Sequence, residues 1–176
     1  LGFLKRPEVA ATHTSHFQGI NYEYATVAVP MLSWADTKRA RNSLGVLAVS
    51  VTNLSVSNIE RRGTTETDAP EGTFGASDFA YALAYGRSVS SSVALGASLK
   101  LIDQSLDSSR ASALALDAGG LWTRGGLRLA GGVRNLGSKA GLRGSSEPLP
   151  LLWYGGAAYA VGNRGLLGAD LRLPRD

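Results

Sequence analysis

Five ionisable side chains on predicted strands are the residues of this chain best suited to binding a ligand. They share the side of their strands that carries small residues, and they are Lys100, Asp117, Arg128, Arg134 and Asp170. The first three lie on successive predicted strands, where their charges could form a cross-strand ion ladder. A cation such as Lys100 or Arg128 would hold a carboxylate group. Solvated charges on the exposed face of a soluble sheet are the alternative interpretation of this pattern.

The sequence offers little for reaction chemistry. His13 and His16 are the only histidines, and their spacing on one predicted strand points them to opposite faces, so they cannot readily share a metal. A Ser–His–Asp hydrolase site lacks its G-x-S-x-G motif. The glycine pairs at 125–126 and 131–132 lack the lysine and the helix of a phosphate loop. We therefore predict no enzymatic activity and no cofactor.

An acidic segment between residues 60 and 75 is a weaker candidate. Its carboxylates Glu66, Asp68 and Glu71 could hold a divalent cation. The surrounding Thr and Gly residues are more typical of a solvated loop. We predict no metal site here.

The composition restricts the class of protein. The chain has 176 residues, enough for one domain, and it contains no cysteine. Its net charge is +4, but Lys and Arg are scattered, so we expect no nucleic-acid partner. No apolar run reaches the roughly 18 residues of a transmembrane helix, whereas a membrane-crossing strand needs only about 9–11 residues. A membrane therefore stays open as the environment of a β protein.

Alternation with period two is the strongest structural signal. In the segment 78–86, the odd positions from Phe79 to Tyr85 are bulky and apolar, and the even positions are small or acidic. Such a strand has one apolar face and one small, polar face. We predict nine strands in an antiparallel meander, near 7–17, 22–31, 44–58, 76–86, 92–104, 112–123, 127–135, 149–160 and 166–173. One helical turn is possible from Trp34 to Asn42.

The connections favour a membrane barrel over a soluble β-sandwich. From the third strand onward we predict long links at 60–75, 105–111 and 136–148, alternating with short ones at 87–91, 124–126 and 161–165. Regular alternation places every long loop at one end of the sheet. Outer-membrane barrels have this arrangement, with an apolar outer band and a polar interior.

Several segments resemble the PorV/PorQ-type outer-membrane proteins, which are related to the FadL family of barrels. The opening GFLKRPEVAATHTSHFQGINYEYATVAVP at 2–30 is similar to the N-terminal barrel segment of that family. Further similar segments follow in the family's order: LSVSNIERRG at 54–63, GTFGASDFAYALAYGRSV at 72–89, ALGASLKLIDQSLDSS at 94–109, GGVRNLGSK at 131–139 and EPLPLLWYGGAAY at 147–159. The resemblance implies a barrel of about fourteen strands, one of the even-numbered series.

The strand count and the resemblance together imply that the barrel extends beyond this chain. We expect residues 1–176 to form one outer-membrane barrel domain that does not close by itself, because nine strands leave an open edge. The signal peptide of such a protein is expected to have been removed or to lie outside this sequence.

Two functions follow from the resemblance. The first is binding or transport of hydrophobic small molecules across the bacterial outer membrane. The alternative is a PorV-like role in type IX secretion, in which external loops hold exported proteins at the cell surface. The expected partners are outer-membrane lipid and either a hydrophobic small molecule or a secreted protein with its secretion machinery. A soluble antiparallel β-sandwich that serves as a binding module is a further alternative.

Overall fold

The computed structural model of the chain describes residues 1–31, 44–64, 68–141, 147–162 and 164–175. Its described part is all-β, apart from a 3-10 turn at Phe17–Gly19. The strands are β1 (Glu8–Ser15), β2 (Ile20–Pro30), β3 (Val46–Arg61), β4 (Gly72–Ser88), β5 (Val93–Leu106), β6 (Ser109–Arg124), β7 (Leu127–Gly137), β8 (Lys139–Ala140), β9 (Glu147–Pro148), β10 (Leu151–Val161) and β11 (Gly165–Arg175).

Nine of these strands form one antiparallel sheet in meander order. Within this sheet, each strand pairs with the strand before it and the strand after it. β8 and β9 pair with each other in a separate two-stranded sheet, so β7 pairs directly with β10. The predicted nine-stranded antiparallel meander is confirmed. Among the residues described, no helix is long and apolar enough to span a membrane. The predicted helical turn from Trp34 to Asn42 lies outside the described residues.

One predicted connection is wrong. The link at 105–111 was expected to be a long loop, but β5 and β6 continue toward each other until Leu106 pairs with Ser109. Asp107, with a φ of 56°, begins the two-residue turn that remains. Aspartate tolerates this left-handed conformation better than most residues, which permits the tight hairpin. The long–short alternation of loops is therefore interrupted between β5 and β6.

The two faces of the sheet differ in side-chain size. We call the face that carries Leu83, Leu99 and Leu116 the outer face, and the opposite one the inner face. The buried apolar residues all lie on the inner face, and they are Ala28, Val46, Ala48, Ala94, Ala111, Ala113 and Ala115. Part of this burial comes from the N-terminal segment, because Leu4 packs against the cluster of Ala28, Val46 and Ala48.

The sheet is open at both edges. Within the described ranges, β1 pairs only with β2, and β11 pairs only with β10. Every residue of β11 is exposed, as is all of β1 except Thr14. The described strands therefore do not close into a barrel, as expected from the sequence.

The hairpins at one end of the sheet are staggered. Val46 is the first residue of β3 and lies beside the β2–β3 connection. Following the cross-strand partners from Val46 over the next five strands of the sheet leads to Gly86, Gly96, Gly119, Gly132 and finally Tyr154 on β10. Tyr154 lies seven residues before the end of β10 at Val161. Across five strand spacings, or about 24 Å, the hairpin end of the sheet therefore moves along the strands by seven residues, or about 23 Å. These two distances correspond to a strand tilt of about 45°. A tilt of about 35–45° is typical of membrane barrels.

Candidate functional site

A cavity of about 470 Å³ lies on the inner face, near the short-turn end of the sheet. It is open on one side, and part of its wall is the N-terminal segment, which contacts the sheet so closely that a Cβ on Gly86 would lie 2.8 Å from the Cβ of Leu1. Glycines and alanines of β4, β5 and β6 line the cavity together with Phe3, Ser98, Asp117, Arg134 and Tyr154. The cavity therefore combines apolar walls with a few polar groups, as is typical of small-molecule sites.

Asp117, one of the residues that line this cavity, forms an ion pair with Lys100. Lys100 Nζ lies 2.8 Å from Asp117 Oδ1, and both side chains are largely shielded, at 18% and 23% exposure. Lys100 Nζ also donates a hydrogen bond of 2.6 Å to Asn135 Oδ1. The backbone N–H of Asn135 donates to Asp117 Oδ1 at 2.9 Å. The charges of Lys100 and Asp117 are thus engaged with each other.

A β-bulge between β6 and β7 creates this arrangement. Leu116 pairs with Leu136 and Ala118 pairs with Val133, so Asp117 faces two residues of β7, Arg134 and Asn135. Asn135 takes a left-handed φ of 61° and donates a further hydrogen bond from Nδ2 to the oxygen of Pro150 at 2.9 Å. The bulge directs the Asn135 N–H toward the Asp117 carboxylate instead of toward a strand partner.

Arg134 and Tyr154 form the next part of the wall. The guanidinium carbon of Arg134 stands 5.0 Å from the centre of the Tyr154 ring, within the range of a cation–π contact. The hydroxyl end of Tyr154 packs on the backbone of Gly119 and Gly132, where a Cβ would lie 2.6 Å from the Tyr154 Oη. Only glycine at these two positions leaves room for the ring.

The remaining predicted residues lie away from the cavity. Arg128 pairs with Thr123 and Ala158, six residues along β7 from Arg134, or about 20 Å. The predicted ion ladder therefore contains only Lys100 and Asp117, because the register places Arg128 near the other end of its strand. Asp170 on the edge strand lies 3.5 Å from Arg172 Nε, in a pair whose side chains are 69% and 73% exposed.

Asn135 and Tyr154 are site residues that the sequence reasoning missed. The alternation of β7 breaks at Arg134-Asn135, and this break was the available signal for a bulge. No comparable local signal marks Tyr154, because its role depends on glycines of two other strands.

The other residues considered for chemistry, His13 and the described residues of the acidic segment at 60–75, do not line the cavity. His13 Nδ1 contacts Glu23 Oε1 at 3.5 Å on the outer face. Of the acidic loop, Asp68 and Glu71 are described and Glu66 is not. Within the described part of the chain, no three His, Asp or Glu residues are grouped as metal ligands would be.

The outer face carries a belt of large apolar side chains that the described residues leave uncovered. The exposed fractions run from 39% at Leu47 to 75% at Val9. The belt includes Val27, Val49, Leu83, Leu99, Leu116, Leu129, Trp153 and Leu171. The chain exposes 12548 Å² in total, whereas a compact protein of this mass exposes about 8,200 Å². This fold therefore presents far more surface, much of it apolar, than a compact soluble domain does.

Comparisons with known proteins identify no family for this chain. No protein-family model matches it, and no curated protein does. The functional argument therefore starts from the two faces of the sheet and from the inner cavity.

Proposed function

We propose that this chain forms part of an outer-membrane β-barrel whose outer face contacts lipid and whose inner face lines a lumen. The exposed belt on the outer face is the observation that carries the proposal. A patch larger than a few hundred Å² is rarely left in contact with water by a soluble monomer. Contact of this face with lipid hydrocarbon is favourable, because the transfer of each large apolar side chain out of water contributes about 1.5–3 kcal/mol of free energy.

Two further features support a membrane barrel. The stagger of the hairpins corresponds to the tilt of barrel strands in membranes. The charges of Lys100, Asp117 and Arg134 all fall on the inner face, where a wet lumen removes the cost of placing them in lipid. A soluble β-sandwich would need a second layer over the belt, and the described strands supply none.

Within this barrel we assign the inner cavity to the binding of hydrophobic small molecules that carry an acidic group. Its apolar part is formed by the N-terminal segment and by small residues of β4 to β6. Its polar wall presents the guanidinium of Arg134. The resemblance to the FadL-related barrels implies binding of hydrophobic small molecules, which agrees with this assignment. The PorV-like secretion role remains the alternative, and no contact among the described residues favours it.

Filling the cavity tests this assignment. We expect Ser98→Phe to weaken binding of dodecanoate by at least about tenfold, because the new ring occupies space that the ligand needs. Equilibrium dialysis of radiolabelled dodecanoate against the full-length protein in lipid vesicles measures this effect.

Thr52→Phe is the matched control, because Thr52 lies on the inner face but does not line the cavity. We expect this variant to bind dodecanoate as the wild type does. Equal binding by the wild type and both variants would show that the ligand site is elsewhere.

A further inference from the structure

We propose that Tyr154 is a positioning residue for Arg134, and that this cation–π pair makes the inner cavity select amphiphiles with an anionic head over neutral ones. This inference rests on the proposed function, since it assigns the polar end of the same cavity. Both residues line that cavity, together with Ser98 and Asp117.

The first observation is the way in which Tyr154 is held. Its hydroxyl end fits between the backbones of Gly119 on β6 and Gly132 on β7. A Cβ on Gly132 would lie 2.8 Å from Tyr154 Cζ and 2.6 Å from Oη, so the ring rests directly on the sheet. The ring therefore has a fixed position, although it reaches across two strands from its own.

The second observation is the position of Arg134 on that ring. Its guanidinium carbon lies 5.0 Å from the ring centre, and the side chain begins at the bulge that also holds Asn135. A guanidinium held over an aromatic ring by a cation–π contact keeps N–H groups that can bind a carboxylate in bidentate geometry. The contact with the ring also reduces the entropy that the long side chain loses when it binds an anion.

The third observation is the charge balance around Arg134. Asp117 lines the same cavity but is paired with Lys100 at 2.8 Å. Asp170 is paired with Arg172, which lies directly opposite Tyr154 on β11. Within the described part of the chain, no carboxylate forms an ion pair with Arg134. Since no described acidic group takes up its charge, we assign that charge to a ligand.

The test compares two ligands that differ only in the head group. Dodecanoate and dodecanol are titrated into the full-length protein in vesicles at pH 8, where the carboxylate is ionised, and the ratio of their Kd values gives the preference for the anion. We expect Arg134→Gln to reduce this preference about tenfold or more, because the loss falls on dodecanoate binding. We expect Tyr154→Leu to reduce it about threefold to tenfold, and Tyr154→Phe, which keeps the ring, to preserve it.

A double-mutant cycle separates positioning from direct contact. If Tyr154 acts through Arg134, the double variant Arg134→Gln/Tyr154→Leu has the preference of Arg134→Gln alone. A cooperative urea unfolding transition shows in each case that the variant is folded. Arg128→Gln, on the same strand and face but outside the cavity, is the matched control and should behave as the wild type.

The outcomes separate this inference from the proposed function. If the wild type binds both ligands and Arg134→Gln keeps its preference, the inference is overturned and the proposed function stands. Additive losses in the double variant would overturn the positioning role of Tyr154. If the wild type binds neither ligand, the proposed binding function itself is overturned, and the inference with it.

Discussion

Replacing Leu83 by arginine should lower the free energy of unfolding in lipid vesicles by about 2–4 kcal/mol, the cost of a cation at the lipid-facing midplane of a barrel. Leu83 lies on the outer face of β4, is 51% exposed, and has Val49 and Leu99 as its cross-strand neighbours. In the proposed barrel, a guanidinium at this position faces lipid and must displace or deform it, and its cross-strand neighbours Val49 and Leu99 offer it no anion. Urea titration of the vesicle-inserted protein measures the change.

Thr73→Arg provides the control for this substitution. Thr73 belongs to the same strand and face, ten residues closer to the long-loop end, and it is exposed. A charge there is expected to stay in water or among lipid headgroups and to cost less than about 1 kcal/mol. If Leu83→Arg proved as harmless as Thr73→Arg, the outer face would be in contact with water, as on a soluble sheet.

Removal of the Asp117 carboxylate should cause the second large decrease in the free energy of unfolding. Asp117→Ala leaves the ammonium of Lys100 without its anion and the N–H of Asn135 without its acceptor, in a site that is only partly exposed. We expect the free energy of unfolding to fall by about 2–4 kcal/mol. The same urea titration in vesicles reports this loss.

Two variants show whether the loss comes from the uncompensated charge. Lys100→Met/Asp117→Leu removes both charges, and it should be less destabilised than Asp117→Ala. Asp170→Ala breaks the exposed pair with Arg172 and should cost less than about 1 kcal/mol. Equal effects for Asp117→Ala and Asp170→Ala would mean that the Lys100–Asp117 pair behaves as a solvated surface contact.

The sheet could be predicted largely from local pattern. Side chains alternate with period two along a strand, so the assignment of Leu99 to one face and Lys100 to the other needs no information about neighbouring strands. The meander order followed from strands of similar length joined without crossover segments. The hairpin at Asp107 was missed because polar residues near a strand end look like a loop until their cross-strand partners are known.

The candidate site was less accessible to sequence reasoning, because it depends on register. The register of β5 and β6 brings Lys100 and Asp117 together, and the bulge between β6 and β7 adds Asn135 to this pair. Lys100 and Asp117 become partners, whereas Arg128 lies too far along its strand to join them. The contact of Tyr154 with Gly119 and Gly132 joins three strands that are up to 35 residues apart in sequence.

The environment of the outer face is the central claim, and paired tryptophan probes on β4 test it most directly. In a background with Trp34, Trp122 and Trp153 replaced by Phe, a single tryptophan is placed at Leu83 on the outer face or at the adjacent Ala82 on the inner face. Fluorescence is then recorded in vesicles of brominated lipid and with aqueous iodide. We predict that bromine quenches the probe in Leu83→Trp strongly and the probe in Ala82→Trp weakly, with the order reversed for iodide. Strong iodide quenching of the probe in Leu83→Trp, without quenching by brominated lipid, would contradict a membrane barrel.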